Sequence, residues 1–320
     1  MSHLTQEFAS HCPLCGSTKS AVAGRLDRYG RPLTTLFCLG CGLYRSEPLP
    51  AIERLRAFYE TQYRMEYKGV VRPKAHHVLR AGRAAQDRLR WLQPHLPASG
   101  KWLDAGAGSG EFAFLMRRCG LDVLALEPNL GYAAYICDEL GIPVRQGFLE
   151  DLPESAGPFA GISCFHMLEH HPDPVAGLAR LQALLAPGGV LALEVPNSGF
   201  LHVHPQNRFH PAHVVHFHPA NLQLAAHAAG FETLECRASR DGGVVWGVFR
   251  PGRKEPVRPL PATVETLTRL ERRRSTVRYF ASPRVWGRTL LRVARLGFER
   301  LRALNFGTSR EYLAHLPARR

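Results

Sequence analysis

From Lys101 onward the apolar positions alternate between two rhythms. "KWLDAG" is a short apolar run that predicts a strand, and "GEFAFLMRRCG" carries helical spacing with Gly120 past its end. "DVLALEP" predicts the next strand and "LGYAAYICDELG" a helix closed by Gly141. "FAGISCFHM" reads as a strand, "PVAGLARLQALLAPGG" as a helix and turn, and "VLALEVPN" as another strand. "PANLQLAAHAAG" predicts a helix, and "FETLECRA" and "GVVWGVFR" a closing pair of strands. Such alternation predicts an α/β fold, with a doubly wound, mostly parallel sheet and helices on both faces. Ligands of these sheets bind beyond the carboxyl ends of the strands, near the point where strand order reverses.

Outside this stretch the pattern changes. "LPAIERLRAFYETQYRMEY" and "HHVLRAGRAAQDRLRWLQPHLP" have helical periodicity and read as helices that bridge or cover the central domain. "PGRKEPVRPLPATVE" reads as a charged, proline-rich linker. Beyond it come "LTRLERRRSTVRYF" and, after Pro283, "VWGRTLLRVARLGFERLRALNF". In the last segment Arg288, Arg292, Arg295 and Arg302 form one helical stripe, and Trp286, Leu290, Val293, Leu301 and Leu304 another. The expected divisions are a small unit at 1–50, a helical linker or cap at 51–100, a central domain at 101–250 and a basic, partly helical tail at 251–320.

Charge sharpens that division. Residues 251–320 hold 17 Lys and Arg against 5 Asp and Glu, leaving 24 basic and 22 acidic side chains in the first 250 residues. The basicity therefore belongs to the tail. Three readings of it stay open: a helix packed on the core with arginines in solvent, a contact with anionic membrane, or a contact with RNA. The chain contains no apolar run of bilayer length and no signal-peptide core, so the expected compartment is the cytoplasm, with peripheral membrane contact through the tail as an added expectation.

The 8 cysteines are also unevenly placed. "HCPLCGS" and "FCLGCGLY" are two Cys-x-x-Cys pairs, with 22 residues between Cys15 and Cys38. Each second cysteine precedes a glycine, which lets the backbone turn its amides towards the thiolates. Cys12, Cys15, Cys38 and Cys41 thus predict a four-sulfur structural zinc site in a zinc-ribbon-like unit. The segment between them, Val22 to Phe37, is hairpin-like and too small for a core of its own, so metal would supply folding energy. Cys119, Cys137, Cys164 and Cys236 read as buried thiols, and His11 as a surface residue.

The candidate chemistry begins at "LDAGAGSG". Gly106, Gly108 and Gly110 follow the first strand at alternate positions, behind Asp104, where missing Cβ atoms let a ligand lie on the backbone. Glu127 ends the second strand, 17 residues after Gly110, where a carboxylate can accept two ribose hydroxyls. The spacing differs from that of nicotinamide-binding turns, and no Lys-Ser/Thr follows for a triphosphate.

With these residues in view, 101–250 resembles a class I S-adenosylmethionine-dependent methyltransferase with a seven-stranded Rossmann-like sheet. "LDAGAGSG", "LALEPN", "GFLEDLP", "FHMLEHHPDP" and "LLAPGGVLALEVPN" resemble five of that family's motifs in order. The resemblance implies that Asp104 and the backbone of Ala105 to Gly108 hold the amino-acid end of the cofactor. Glu127, followed by Pro128, would bind ribose, and Phe148 and Leu149 would flank adenine, with phenylalanine replacing the usual polar residue. His166 would lie near the methyl-donor end.

Residues 202–218, "HVHPQNRFHPAHVVHFH", contain 6 of the 16 histidines. They read as a second metal site, a loop offering one catalytic histidine, or a surface loop. The spacing of His213, His216 and His218 suits a metal, but no carboxylate lies nearby in the sequence. The four-cysteine unit ahead of this domain resembles the deoxysugar C-methyltransferases, and His213 falls on that family's catalytic histidine. His210 and Ala212 stand where that family has tyrosine and glutamate, and its large C-terminal domain is lacking. His166, Glu169, His170 and His171 cluster after the fourth strand, and His170 and His166 are further candidates for contact with the acceptor or for base catalysis.

The expected function is methyl transfer to a hydroxyl or carbon of a small-molecule, sugar or glycan-type acceptor in a biosynthetic reaction, with a histidine base. The alternatives are an RNA methyltransferase that grips RNA with the zinc unit and tail, and a non-catalytic cofactor-binding protein.

Overall fold

The computed structural model of the chain describes residues 6–8, 10–59, 72–303, 306 and 308–318. The chain divides into two compact units. One comprises Met1–Ile52, His166–Gln182 and Leu193–Thr289; the other comprises Glu53–Phe165, Ala183–Ala192 and Leu290–Arg320.

In chain order, β1 (Gln6–Glu7), β2 (Lys19–Leu26), β3 (Pro32–Cys38) and β4 (Tyr44–Glu47) precede α1 (Ile52–Ala57) and α2 (Ala75–Leu92). Next come β5 (Lys101–Ala105), α3 (Glu111–Arg118), β6 (Asp122–Glu127), α4 (Leu130–Asp138), β7 (Val144–Gln146) and β8 (Phe159–Phe165). They are followed by α5 (Pro174–Ala183), β9 (Leu185–Pro196), β10 (Val215–His216), α6 (Pro219–Ala228), β11 (Phe231–Ala238) and β12 (Val244–Pro251). The tail holds α7 (Pro261–Arg273), α8 (Thr276–Phe280), α9 (Pro283–Ala303) and α10 (Ser309–His315).

The main sheet has seven strands in the order β11-β12-β9-β8-β5-β6-β7. β5 pairs in parallel with both β6 and β8, β6 pairs in parallel with β7, and β11 and β12 are antiparallel. The chain leaves β5 towards β6 and later returns to β8 on the other side. That reversal makes the end of β5 the switch point.

Two details of this sheet differ from the periodicity. β7 is three residues long, too short to register as a pattern. β9 begins at Leu185 rather than after the Gly188–Gly189 turn. The Phe159 amide already donates to the Leu184 carbonyl at 2.8 Å, and a Cβ at Gly189 would lie 3.0 Å from the Phe159 carbonyl oxygen. Pairing with the neighbouring strand thus extends through the glycines.

A second sheet has the order β1-β2-β3-β4-β10, with all of its partners in the first unit. Its last strand comes from the histidine-rich stretch: Val215 pairs with Arg45 and His216 with Tyr44. Behind it Phe37, Tyr44, Phe209 and Leu267 form one buried cluster. The cysteine-flanked hairpin does not stand alone, because its core is completed from more than 200 residues downstream. The segment read as a linker gives way to α7 at Pro261, and α7 supplies Leu267 to this core. A Cβ at Gly42 would meet the Leu267 methyl at 3.0 Å, which is how closely the helix approaches.

Of the four isolated cysteines only Cys164 is buried; Cys119 and Cys236 are partly exposed, and Cys137 is exposed on α4. Residues 60–67 of the first predicted bridging helix lie outside the described residues, as do Leu304 and the side chains of Arg295, Leu301 and Arg302 in the tail stripes. Among the described residues no helix is long and apolar enough to cross a membrane.

Candidate functional site

The glycine turn follows directly from β5. Gly106, Gly108 and Gly110 have φ of 72°, 60° and 80°, the left-handed region that side chains resist. The amides of Gly106 and Ala107 both donate to the Leu126 carbonyl, at 2.9 and 3.0 Å, tying the turn to β6. Gly110 caps α3, and a Cβ there would meet Ile136 at 2.9 Å.

Glu127 is buried at the end of β6. Its Oε2 accepts from the Gly108 amide at 2.9 Å, and its Oε1 from the Asn129 amide at 3.2 Å. Asp104, also buried, accepts from the Ser163 hydroxyl at 2.6 Å. Burial pushes its carboxyl up to about 6, against the opposing effect of that hydrogen bond. Ala105 and Leu149 are buried and Pro128 is half-buried. Phe148 lies under the Arg56 guanidinium, 4.6 Å from its ring centre, and Arg56 also pairs with Asp151.

The histidines lie in the other unit. His166 follows β8 with φ of 54°, a strained value for a side-chain-bearing residue. Its Nδ1 lies 3.2 Å from Glu169 and its Nε2 2.9 Å from Glu194, whose other oxygen accepts from Trp246 Nε1 at 2.6 Å. Desolvation would lower the pKa of His166, but the two carboxylates outweigh it and raise it to about 9. His166 is therefore an imidazolium clamped between two anions, with no lone pair for taking up a proton.

His170 Nδ1 donates to the Ala212 carbonyl at 2.7 Å, which leaves Nε2 on the far side of the ring. The His213 ring stands 4.9 Å from that of His170, 5.0 Å from His210 and 6.1 Å from His216, centre to centre. Burial, and then repulsion from His170, His216 and His210, hold His213 well below the ordinary histidine range. It is neutral at neutral pH. His213 faces a cavity of about 180 Å³ that is also lined by Asn197, Arg208, His210, His216 and Arg274. Arg208 makes a bidentate pair with Glu271 at 2.7 and 2.6 Å, and Arg274 donates to the Ser198 and Phe200 carbonyls at 2.7 and 2.9 Å.

A carboxylate does lie beside His213, contrary to the sequence pattern. Glu169, His170 and His213 each present a ligand atom within 4.8 Å of the others. Glu169 is fully buried, and its Oε2 has no hydrogen-bond partner among the described residues. Burial would raise its pKa, but His166 and His170 lower it, so it is ionised. His218 does not join this group. It caps α6, its Nδ1 accepting from the Ala220 amide at 3.4 Å.

The four cysteines do converge. All four Sγ atoms lie within 4.8 Å of one another, with Cys12–Cys41 at 3.7 Å and Cys15–Cys38 at 3.5 Å. A tetrahedral zinc–thiolate site has S–S edges of about 3.8 Å, so the donor set fits. The two turns match as well. Gly16 and Gly42 have φ of 71° and 75°, and each amide donates at 2.9 Å to the carbonyl of the first cysteine of its pair.

The family described as "Methyltransferase domain" matches residues 75–236, just over half of the 320 residues. The chain belongs to this family. The ubiquinone biosynthesis O-methyltransferase of Xanthomonas axonopodis pv. citri (strain 306) is 39% identical over 117 residues, covering 34% of this chain and 49% of that protein. Its counterpart in Methylococcus capsulatus is 35% identical over the same length, with the same coverage. The chain thus spans about half the length of the curated relatives it matches. The structure of Burkholderia thailandensis 1,6-didemethyltoxoflavin-N1-methyltransferase, with 1,6-didemethyltoxoflavin and S-adenosylhomocysteine bound, aligns with a TM-score of 0.51. It is 21% identical and covers 66% of this chain and 96% of its own. Magnesium protoporphyrin IX methyltransferase from Synechocystis PCC 6803, with S-adenosylhomocysteine bound, aligns at 0.50, 13% identical, over 63% of this chain and 100% of its own. At these identities the structures establish a shared fold.

Sequence reading missed Glu194, Trp246 and the convergence of Arg208 and Arg274 on Glu271. Apart from the Glu271–Arg274 spacing, no short interval links these residues, and the folded chain brings them together.

Proposed function

We propose that the chain is an S-adenosylmethionine-dependent methyltransferase acting on a hydroxyl group of a small-molecule acceptor. The observation that carries the reading is the Glu127 carboxylate, buried beside the positive-φ glycine turn and fixed by the Gly108 and Asn129 amides. When bound, S-adenosylmethionine supplies a methyl group already activated on a sulfonium. Asp104 and the backbone from Ala105 to Gly108 hold its amino-acid end. Glu127, backed by Pro128, accepts its ribose hydroxyls, and Phe148 and Leu149 flank its adenine. His166 contributes a fixed positive charge rather than a base.

His213 is the base. It is neutral, it faces the cavity, and a neutral imidazole takes the proton that a hydroxyl loses on methylation. The names of the curated relatives, O-methyltransferases of ubiquinone biosynthesis, favour a small hydroxylated acceptor over a polymer. The cavity, about 180 Å³, suits a single ring or sugar unit. The four cysteines hold a structural zinc, since four protein sulfurs leave no place for water. A screen of sugar, phenol and lipid-linked acceptors with radiolabelled S-adenosylmethionine tests the activity. Label in a small acceptor supports the reading, and label confined to RNA contradicts it.

A second reading is favoured by the unpartnered Oε2 of Glu169. Glu169, His170 and His213 can instead bind a divalent cation that lowers the pKa of the acceptor hydroxyl. Manganese titration separates the two readings. Stoichiometric binding that Glu169→Gln abolishes favours the cation, and activity unchanged by chelation in zinc-loaded protein favours the base.

A further inference from the structure

Twelve large hydrophobic side chains stand exposed among the described residues, and seven of them fall between Val277 and Phe298. They are Val277 and Phe280 of α8, and Trp286, Leu290, Leu291, Val293 and Phe298 of α9. Leu290 and Leu291 are 70% and 72% exposed, so these residues are not the edge of a core. Among the described side chains of α9 the buried positions are Val285 and Glu299. At the helical period these two share one side, and the five exposed apolar residues occupy an arc on the opposite side. A helix that simply packed on its own protein would present the opposite arrangement.

Charge runs beside this arc. Residues 276–303 contain seven arginines and one glutamate. Glu299 is buried and engaged by Arg80 and Arg83, so it does not offset the exposed arginines. Arg284 borders the arc next to Leu291, is exposed and has no ion pair among the described residues; Arg292 is exposed on the side of Val285 and Glu299, and Arg288 pairs with Asp241 at 3.1 Å. We infer that α9 is a docking surface for an anionic phospholipid bilayer, with its leucine-rich arc in the headgroup boundary and the flanking Arg284 on lipid phosphates. A second copy of the chain meeting this face would bring arginine flanks together. RNA would use the arginines but gives no reason for five exposed apolar side chains on one arc. The surface lies outside residues 75–236, so the inference does not depend on the acceptor or on the proposed chemistry.

The test is co-sedimentation of the full chain with vesicles of phosphatidylcholine alone and of phosphatidylcholine with phosphatidylglycerol. The expected result is at least a tenfold preference for the anionic vesicles, reduced several-fold when salt rises from about 0.1 to 0.5 M. Leu290→Ser with Leu291→Ser lowers binding at least tenfold, and Arg284→Gln several-fold, while the melting temperature is unchanged because all three positions are exposed. No sedimentation with anionic vesicles overturns the inference, as does equal binding to neutral ones. Light scattering that shows a dimer dissolved by the leucine double variant assigns the face to a second copy instead. RNA binding that survives the leucine variant while vesicle binding is absent assigns it to nucleic acid.

Discussion

Glu127, at the end of β6, and Glu169, just beyond β8, are both buried acids, yet their surroundings differ in kind. Both oxygens of Glu127 accept from backbone amides, one only two residues away. One oxygen of Glu169 faces His166, and its carboxylate lies within 4.8 Å of the imidazoles of the adjacent His170 and of His213, which comes from a separate loop. The first acid is part of a cradle set by backbone conformation. The second is part of a pocket assembled from side chains that are distant in sequence. A backbone cradle serves a constant ligand, whereas a side-chain pocket can be rebuilt for a new one. In the proposed account the cofactor occupies the cradle and the acceptor the pocket.

That comparison breaks first at His213. His213→Ala is expected to lower turnover about 10²–10⁴-fold with cofactor affinity unchanged, measured on the best acceptor from the screen. An equal loss of cofactor affinity would mean that the two regions are not separate in function. Glu127→Ala should have the converse effect. Cofactor affinity falls roughly 100-fold, as loss of charge-assisted hydrogen bonds to a buried carboxylate implies, and turnover at saturation is largely kept. Calorimetry and steady-state rates together check both variants.

Gly110→Val probes the backbone nature of the cradle. It places a branched side chain at φ of 80° and against Ile136, and should cost roughly 3 kcal/mol of stability in chemical denaturation. The smallest expected effect is in pH. The folded-state pKa of Asp104 is raised to about 6, so the anion proposed to receive the cofactor's ammonium is lost as pH falls through that value. Affinity should drop up to about tenfold per pH unit below it, with no such limb in Asp104→Asn. His213, held well below its ordinary range, stays neutral through the same window and adds no acid limb there.

The two regions also differed in how far they could be read from the sequence. The strand–helix alternation reproduced the sheet, because each element buries a face whose period is local. The three glycines announced their turn because positive φ selects glycine directly. The cysteine pairs announced their clustering because each knuckle is closed within five residues. The pocket gave only a fragment of itself, a run of histidines with no visible acid. Glu169 comes from another loop, Glu194 from β9, Trp246 from β12 and Glu271 from a helix that began inside an expected linker. Periodicity cannot report such convergence. Nor could it reveal β10, two residues long, whose pairing with β4 ties the histidine stretch to the cysteine-bearing sheet.

The central claim is that the glycine turn holds S-adenosylmethionine, and calorimetric titration of the purified, zinc-loaded chain tests it most directly. The account predicts saturable one-site binding of S-adenosylmethionine and S-adenosylhomocysteine, retained in His213→Ala and lost in Gly106→Arg. Folded protein that binds neither ligand would contradict it and leave the turn as scaffold alone.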